Sequence, residues 1–183
     1  MNFIILSGGT SRRFGSDKSQ AKIGEQTLLE ALCSYLPDGK LIVVGPESSV
    51  DAIYLREEPE LGGPVAAIGA AISEVESDLV GIFAADMPFA PLVIPQLMAA
   101  LSADAALAID DDDQIQPLAG IYRTTALKSA LASFDILTDK SLKSLISKLQ
   151  IISVPLVETA YLIDIDTEAA LSQAIAIKSR LGL

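Results

Sequence analysis

Hydrophobic positions along the chain fall into two patterns, short continuous runs and stripes at helical spacing, and the two take turns from end to end. Phe3 to Leu6 is an apolar run ended by Ser7-Gly8-Gly9, which predicts a buried strand feeding a glycine-rich turn. After a polar loop, Thr27-Leu-Leu-Glu30 has the spacing of a capping box and predicts a helix to about Leu36, stopped by Pro37-Asp38-Gly39. Leu41 to Val44 and Ile53 to Leu55 read as further strands. Pro64 at a helix start, followed by Ala67, Ile68, Ala71, Ile72 and Val75, marks an apolar helical stripe. Leu79 to Ala84 then predicts a buried strand, Ile94 to Leu101 a helix, and Ala105 to Ile109 and Leu118 to Tyr122 two more strands. Leu142, Leu145, Ile146 and Leu149 recur at helical spacing. Ile151 to Val154 and Tyr161 to Ile165 look like strands, and Glu168 to Leu181 like a last helix capped by Thr167.

The resulting order, β-α-β-β-α-β-α-β-β-α-α-β-β-α, predicts a three-layer α/β fold around a mostly parallel, doubly wound sheet, organised as one domain over residues 1–183. In such sheets ligands bind beyond the carboxyl ends of the strands. The loops at that edge are therefore where chemistry is expected.

Composition narrows the chemistry. Lys and Arg number 13 against 24 Asp and Glu, a net charge of −11, which disfavours nucleic acid and anionic membranes as partners. Yet Arg12, Arg13, Lys18 and Lys22 fall close together, so the acidic average conceals a local basic spot. The chain has no histidine, which removes imidazole as base, nucleophile or zinc ligand and points any metal site toward hard oxygen donors. The single cysteine, Cys33, lies among leucines on a predicted helix and reads as core. No basic leader precedes the first strand, and no stretch approaches the roughly 20 apolar residues of a membrane span, so a cytoplasmic location is expected.

Four loop features stand out. Ser7 to Lys18 pairs glycines Gly8 and Gly9, which let backbone amides approach an anion, with the mobile charges of Arg13 and Lys18. It has neither the Walker A nor the G-x-G-x-x-G spacing, and the plain alternative is a glycine turn with solvated basic side chains. Phe83 to Phe89 delivers one carboxylate, Asp86, at a strand end, suited to holding Mg²⁺ over phosphates or to capping a turn. Asp164 and Asp166 alternate, so a strand would put both on one face, where Asp166 could complete a metal site or merely precede the cap at Thr167. Glu60 to Pro64 is a glycine turn, including Gly63, where a flat base or sugar could lie against backbone, or a simple helix start. Asp110 to Asp113 reads as a solvated hairpin loop, without calcium-loop spacing.

The run Leu6-Ser-Gly-Gly-Thr-Ser-Arg-Arg-Phe-Gly-Ser-Asp-Lys18 resembles the signature of the molybdenum cofactor guanylyltransferases. Gly62 to Ile68, Ala85 to Pro88, Gln116 to Tyr122, Lys140 to Lys143 and Asp164 to Thr167 follow in the family's order. The resemblance implies a Rossmann-like, nucleotide-diphospho-sugar transferase-like fold. It implies transfer of GMP from GTP to molybdopterin, with release of pyrophosphate and with Mg²⁺ as cofactor. Leu6, Ser7, Gly8 and Gly9 would hold the nucleotide, with Glu58 and Gly63. Arg13 and Lys18 would engage the triphosphate as catalytic residues with Asp86, and Asp86 would bind the metal, joined by Asp166. The pterin would lie near Gln116 to Tyr122 and Lys140 to Lys143, and molybdoenzymes or their chaperones would receive the product.

Three positions depart from the family pattern: Ser7 for Ala, Glu58 near a common Asp, and the Asp164/Asp166 pair for an Asn pair. The Asp pair also occurs in related cytidylyltransferases, which usually carry Ala-Ala-Gly where this chain has Ser7-Gly8-Gly9, so Gly8 favours GTP over CTP. The alternatives are cytidylyl transfer to the same acceptor, a sugar- or polyol-phosphate nucleotidyltransferase, and a non-catalytic nucleotide-binding regulator.

Overall fold

A computed structural model describes residues 1–8 and 21–182. In chain order the strands are β1 (Asn2–Leu6), β2 (Lys22–Ile23), β3 (Gln26–Thr27), β4 (Leu41–Val44), β5 (Ile53–Leu55), β6 (Leu79–Ala84), β7 (Ala105–Ile109), β8 (Ile115–Arg123) and β9 (Ile151–Pro155). The α-helices are α1 (Leu28–Ser34), α2 (Pro64–Ala71), α3 (Ile94–Ala100), α4 (Thr124–Ala132), α5 (Leu142–Ile146) and α6 (Glu168–Leu181). Seven strands form one sheet in the order β5-β4-β1-β6-β8-β7-β9, and β8 alone runs antiparallel to its neighbours. The chain winds outward from β1 through β4 to β5, then returns to place β6 on the other side of β1. That reversal opens a crevice at the carboxyl ends of β1 and β6.

Strand alternation sorts side chains into two layers. Phe3, Ile5, Val43 and Phe83 pack on one face with Leu29 and Leu32 of α1 and Leu97 of α3. Ile4, Leu6, Ile42, Val44 and Ile82 pack on the other with Val65 and Ile68 of α2, Leu127 of α4 and Leu145 of α5. Because both faces are covered, the central strands read as unbroken apolar runs rather than alternating ones. Gly81 serves this packing: an added Cβ would come within 2.8 Å of the Phe3 ring and 2.9 Å of the Phe83 ring, whose centroids lie 6.5 Å apart. A third cluster seats Ala174 and Ile177 of α6 against Ile23, Leu28 and Phe89.

The predicted caps form. The N–H of Glu30 donates to Thr27 Oγ1 at 3.2 Å while the Glu30 carboxylate accepts the Thr27 N–H at 2.7 Å, and Thr167 caps α6 through the N–H of Ala170 at 3.1 Å. The acidic run is a hairpin loop between β7 and β8, closed by the Asp110 N–H on the Gln114 carbonyl at 3.0 Å.

Two predicted elements are corrected. The polar loop after the first strand contains, within its described part, the small hairpin of β2 and β3, turned by Gly24 at φ +67°. Tyr161 to Ile165 is not a strand: Thr159–Leu162 forms a 3₁₀ turn, and the following residues are irregular and do not join the sheet. Their apolar side chains are satisfied by packing instead, Leu162 under the first face and Ile165 under α6. The Ile165 N–H donates to the Asp86 carbonyl at 2.9 Å, so this segment stitches across the end of β6.

Candidate functional site

A cleft of about 460 Å³ opens at the carboxyl edge, between β1, β4 and β6 on one side and the starts of α2 and α5 on the other. Leu6, Val44 and Ala84 form its floor. The strands beneath it are held past their ends: the Ser7 N–H donates to the Val44 carbonyl at 2.9 Å, and the Ala85 N–H to the Leu6 carbonyl at 3.0 Å. Gly45 is what allows the first of these. It sits at φ +155°, and a Cβ there would come within 2.9 Å of the Ser7 backbone.

Asp86 is delivered to the cleft by β6. Its neighbours Met87 and Phe89 are buried in the core, the Met87 N–H closes a turn on Ala84 at 3.0 Å, and the Asp86 carbonyl accepts Ile165, so the carboxylate rests on a fixed backbone. The same Ile165 bond brings Asp164 to the cleft. Asp166, named by the sequence as the second metal ligand, is half-buried and lies outside the lining, whereas Asp164 is exposed within it. The strand alternation assumed for this pair does not exist, which is why the two carboxylates part company.

Glu57, not Glu58, lines the cleft, and its carboxylate accepts the Leu61 N–H at 3.1 Å, while Glu58 is exposed. Gly63, at φ +90°, precedes Pro64 at the first helical position, and both line the cleft as expected of the glycine turn. Leu6 and Gly8 lie in the lining too, while Ser7 sits half-buried between β1 and β4. Gly9, Arg13 and Lys18 fall outside the described residues.

The far wall comes from β8 and α5. Gln116, Pro117, Leu118 and Leu142 line it. The β7–β8 register jumps here, with Leu107 opposite Gly120 but Ala108 opposite Gln116, so residues 117–119 bulge at the cleft. Two interactions hold the bulge. The buried Tyr122 hydroxyl donates to the Pro117 carbonyl at 2.6 Å, and the Gln116 amide donates to Asp110 Oδ2 at 2.6 Å. Asp110 also accepts the N–H groups of Gln114 and Asp112, and these bonds, Gln114 foremost, hold its carboxyl below the usual range. One residue of the acidic run thus has a structural task that its charge pattern did not reveal.

What the cleft can do follows from its groups. Carboxylates and backbone amides are present, imidazole is absent from the chain, and the Cys33 thiol lies outside the lining, where burial pushes it up to about 11, so it is protonated at neutral pH. Asp86 and Asp164 are hard oxygen donors of the kind that Mg²⁺ takes one or two at a time alongside substrate phosphates. Among the described residues no cluster of three or more metal-ligating side chains is gathered.

Comparison with known proteins agrees with this geometry. Residues 3–152 match a family model described as the MobA-like NTP transferase domain. The chain is 32% identical to a probable molybdenum cofactor guanylyltransferase of Bacillus subtilis, over 76% of this chain and 74% of that protein. It is 31% identical to one of Mycobacterium avium, over 94% and 95%. The molybdopterin-guanine dinucleotide biosynthesis protein A of Archaeoglobus fulgidus superposes with a TM-score of 0.76 at 21% identity, covering 98% of this chain and 100% of that one. The 2-C-methyl-D-erythritol 4-phosphate cytidylyltransferase of Thermus thermophilus superposes at 0.67 and 17%, covering 96% and 98%. A mostly parallel sheet with its crevice at the β1/β6 reversal, Gly8 in the lining just past β1 and an Asp beyond the end of β6 are thus found in a sequence with these relatives: the chain belongs to the MobA-like NTP transferase family.

Proposed function

We propose that the protein transfers GMP from GTP to the terminal phosphate of molybdopterin, giving molybdopterin guanine dinucleotide and pyrophosphate. The observation that carries this reading is the meeting, in one cleft, of Leu6 and Gly8 at the end of β1 with Asp86 beyond β6, in a chain whose relatives are named as guanylyltransferases. A phosphate oxygen of the acceptor attacks the α-phosphorus of GTP, and the bond to the β-phosphate oxygen breaks, releasing pyrophosphate. The attacking oxygen is already an anion, so no general base is needed, in keeping with a chain that has no histidine.

Catalysis on this reading is alignment plus charge neutralisation. Leu6 and Gly8 offer backbone to the nucleotide, Gly63 lets it approach the start of α2, and Arg13 and Lys18 are assigned to the triphosphate. Asp86 would hold Mg²⁺ with Asp164 as the second protein oxygen; when bound, the ion supplies positive charge against the phosphates. The wall of Gln116, Pro117, Leu118 and Leu142 is assigned to the pterin. Molybdoenzymes or their chaperones are the expected recipients of the product. No helix among the described residues is long and apolar enough to cross a membrane.

The test is pyrophosphate release from GTP and from CTP, each with molybdopterin as acceptor. Release with GTP at a rate well above that with CTP is expected. The reverse preference would make the enzyme a cytidylyltransferase, and nucleotide binding with no release from either would make it a non-catalytic binder.

A further inference from the structure

Leu61 is out of place on two counts. It is 67% exposed although strongly apolar, and its backbone lies in the left-handed region at φ +63°, where a Cβ crowds the following carbonyl. Such conformations persist where the surroundings over-determine them, and they cluster at binding sites. Here the surroundings do so from both sides. The Leu61 N–H is held by the Glu57 carboxylate at 3.1 Å, and the Gly62 N–H by the Pro59 carbonyl at 3.1 Å. The Gly62 carbonyl accepts the N–H of Asp139 at 2.8 Å, and Asp139 is itself left-handed at φ +59°. Any Cβ at Gly62 would come within 3.0 Å of the Pro59 carbonyl and 3.1 Å of the Ala66 side chain, so the turn has no room to relax there. The outcome is an isobutyl group carried on a held backbone in the lining of the cleft, together with Gly63 and the apolar Leu6, Val44 and Ala84.

We propose that Leu61 is a substrate-contacting platform, its side chain covering one face of a flat heteroaromatic ring bound in the cleft. The proposal rests on the guanylyl-transfer reading, under which two such rings enter, the purine of GTP and the pterin. Both present an apolar face that an aliphatic side chain covers through dispersion and exclusion of water, without hydrogen bonds.

The informative variant is Leu61→Gly, because it removes the side chain and the left-handed strain together and so separates the ring contact from damage to the fold. The unfolding midpoint should be unchanged or raised. Binding should weaken about tenfold for the ring that rests on Leu61, read either as the calorimetric Kd of GTP or as the KM of molybdopterin. Inhibition by inorganic pyrophosphate, which has no ring, should not change, and Leu61→Met should recover most of the loss. A weakened GTP titration assigns the purine to the platform, and a raised molybdopterin KM assigns the pterin. Values for both ring substrates within about twofold of wild type would overturn the proposal. Wild-type protein that releases no pyrophosphate from GTP and molybdopterin would instead sink the reading of the reaction. A calorimetric panel of ATP, CTP and UTP then carries the platform test, with the same loss expected in Leu61→Gly for whichever base binds. Wild type binding no ring compound would overturn the platform as well.

Discussion

The two edges of the sheet are built on opposite principles. At the amino edge the chain leading into β6 is tied down by three side chains. Asn2, 8% exposed, accepts the N–H groups of Glu76 and Ser77 at 3.0 and 2.9 Å; Thr124, 5% exposed, donates to the Ser77 carbonyl at 2.7 Å; and the Lys128 ammonium donates to the Val75 carbonyl at 3.2 Å. At the carboxyl edge the chain stops pairing and opens a cleft. Among the described residues, the non-glycine positions with positive φ are Leu61, Asp113 and Asp139, and all three lie in loops on that side. One edge therefore secures the sheet, and the other keeps backbone and side chains in arrangements useful to a ligand. Substitutions at the two edges should separate activity from stability.

Asp86→Ala at the carboxyl edge should show the largest effect. Removing the carboxylate is expected to lower turnover on the order of 10²-fold or more across a Mg²⁺ titration, while the unfolding midpoint stays near wild type because the side chain is not part of the core. Near-normal turnover would remove Asp86 from the metal site. Asn2→Ala is the mirror image. It strips the acceptor from the Glu76 and Ser77 N–H groups in a half-buried segment and should destabilise the protein by about 1–3 kcal/mol in denaturant unfolding, with KM and kcat unchanged under conditions where the protein is folded. A loss of activity in folded Asn2→Ala would mean that the two edges are coupled.

How much of this was legible in the sequence depended on how local each signal is. Capping boxes and apolar runs act within a few residues, and Thr27, Glu30, β1, β4, β6 and β7 were readable for that reason. The Tyr161 to Ile165 segment has the alternation of a strand, but whether it pairs is decided by neighbours far away in sequence, and Asp86 takes its N–H instead. The same non-locality decides that Glu57 and Asp164 line the cleft while Glu58 and Asp166 lie outside its lining. In irregular chain, adjacent carboxylates point wherever a distant or looped-back N–H draws them, as Leu61 draws Glu57. Gly45 was missed although its signal was present, a glycine directly after the apolar run Leu41 to Val44. The roles assigned to Gly9, Arg13 and Lys18 rest on the motif, since these lie outside the described residues.

The smallest effect is expected where the two edges meet, in β8, whose antiparallel course carries it from the cleft wall at Gln116 to the tied edge at Arg123 and Thr124. Tyr122 stands near the tied end, fully within the core, yet its hydroxyl reaches back to the Pro117 carbonyl in the bulge. Tyr122→Phe keeps the ring and leaves no cavity, so the only loss is that hydrogen bond, worth about 1–2 kcal/mol when a buried acceptor goes without its donor. If the bond only steadies the core, unfolding shifts by that amount and kinetics do not change. If it sets the bulge, Gln116 and Leu118 lose their support on one side, and the KM of the substrate on that wall should rise severalfold while kcat holds, because the phosphates and Asp86 are untouched. The second result is expected, since the bulge departs from regular pairing and, besides this bond, is held by the Gln116 contact with Asp110. A shift in stability with both KM values unchanged would show instead that the tied edge ends at Tyr122 and that the cleft wall stands without it.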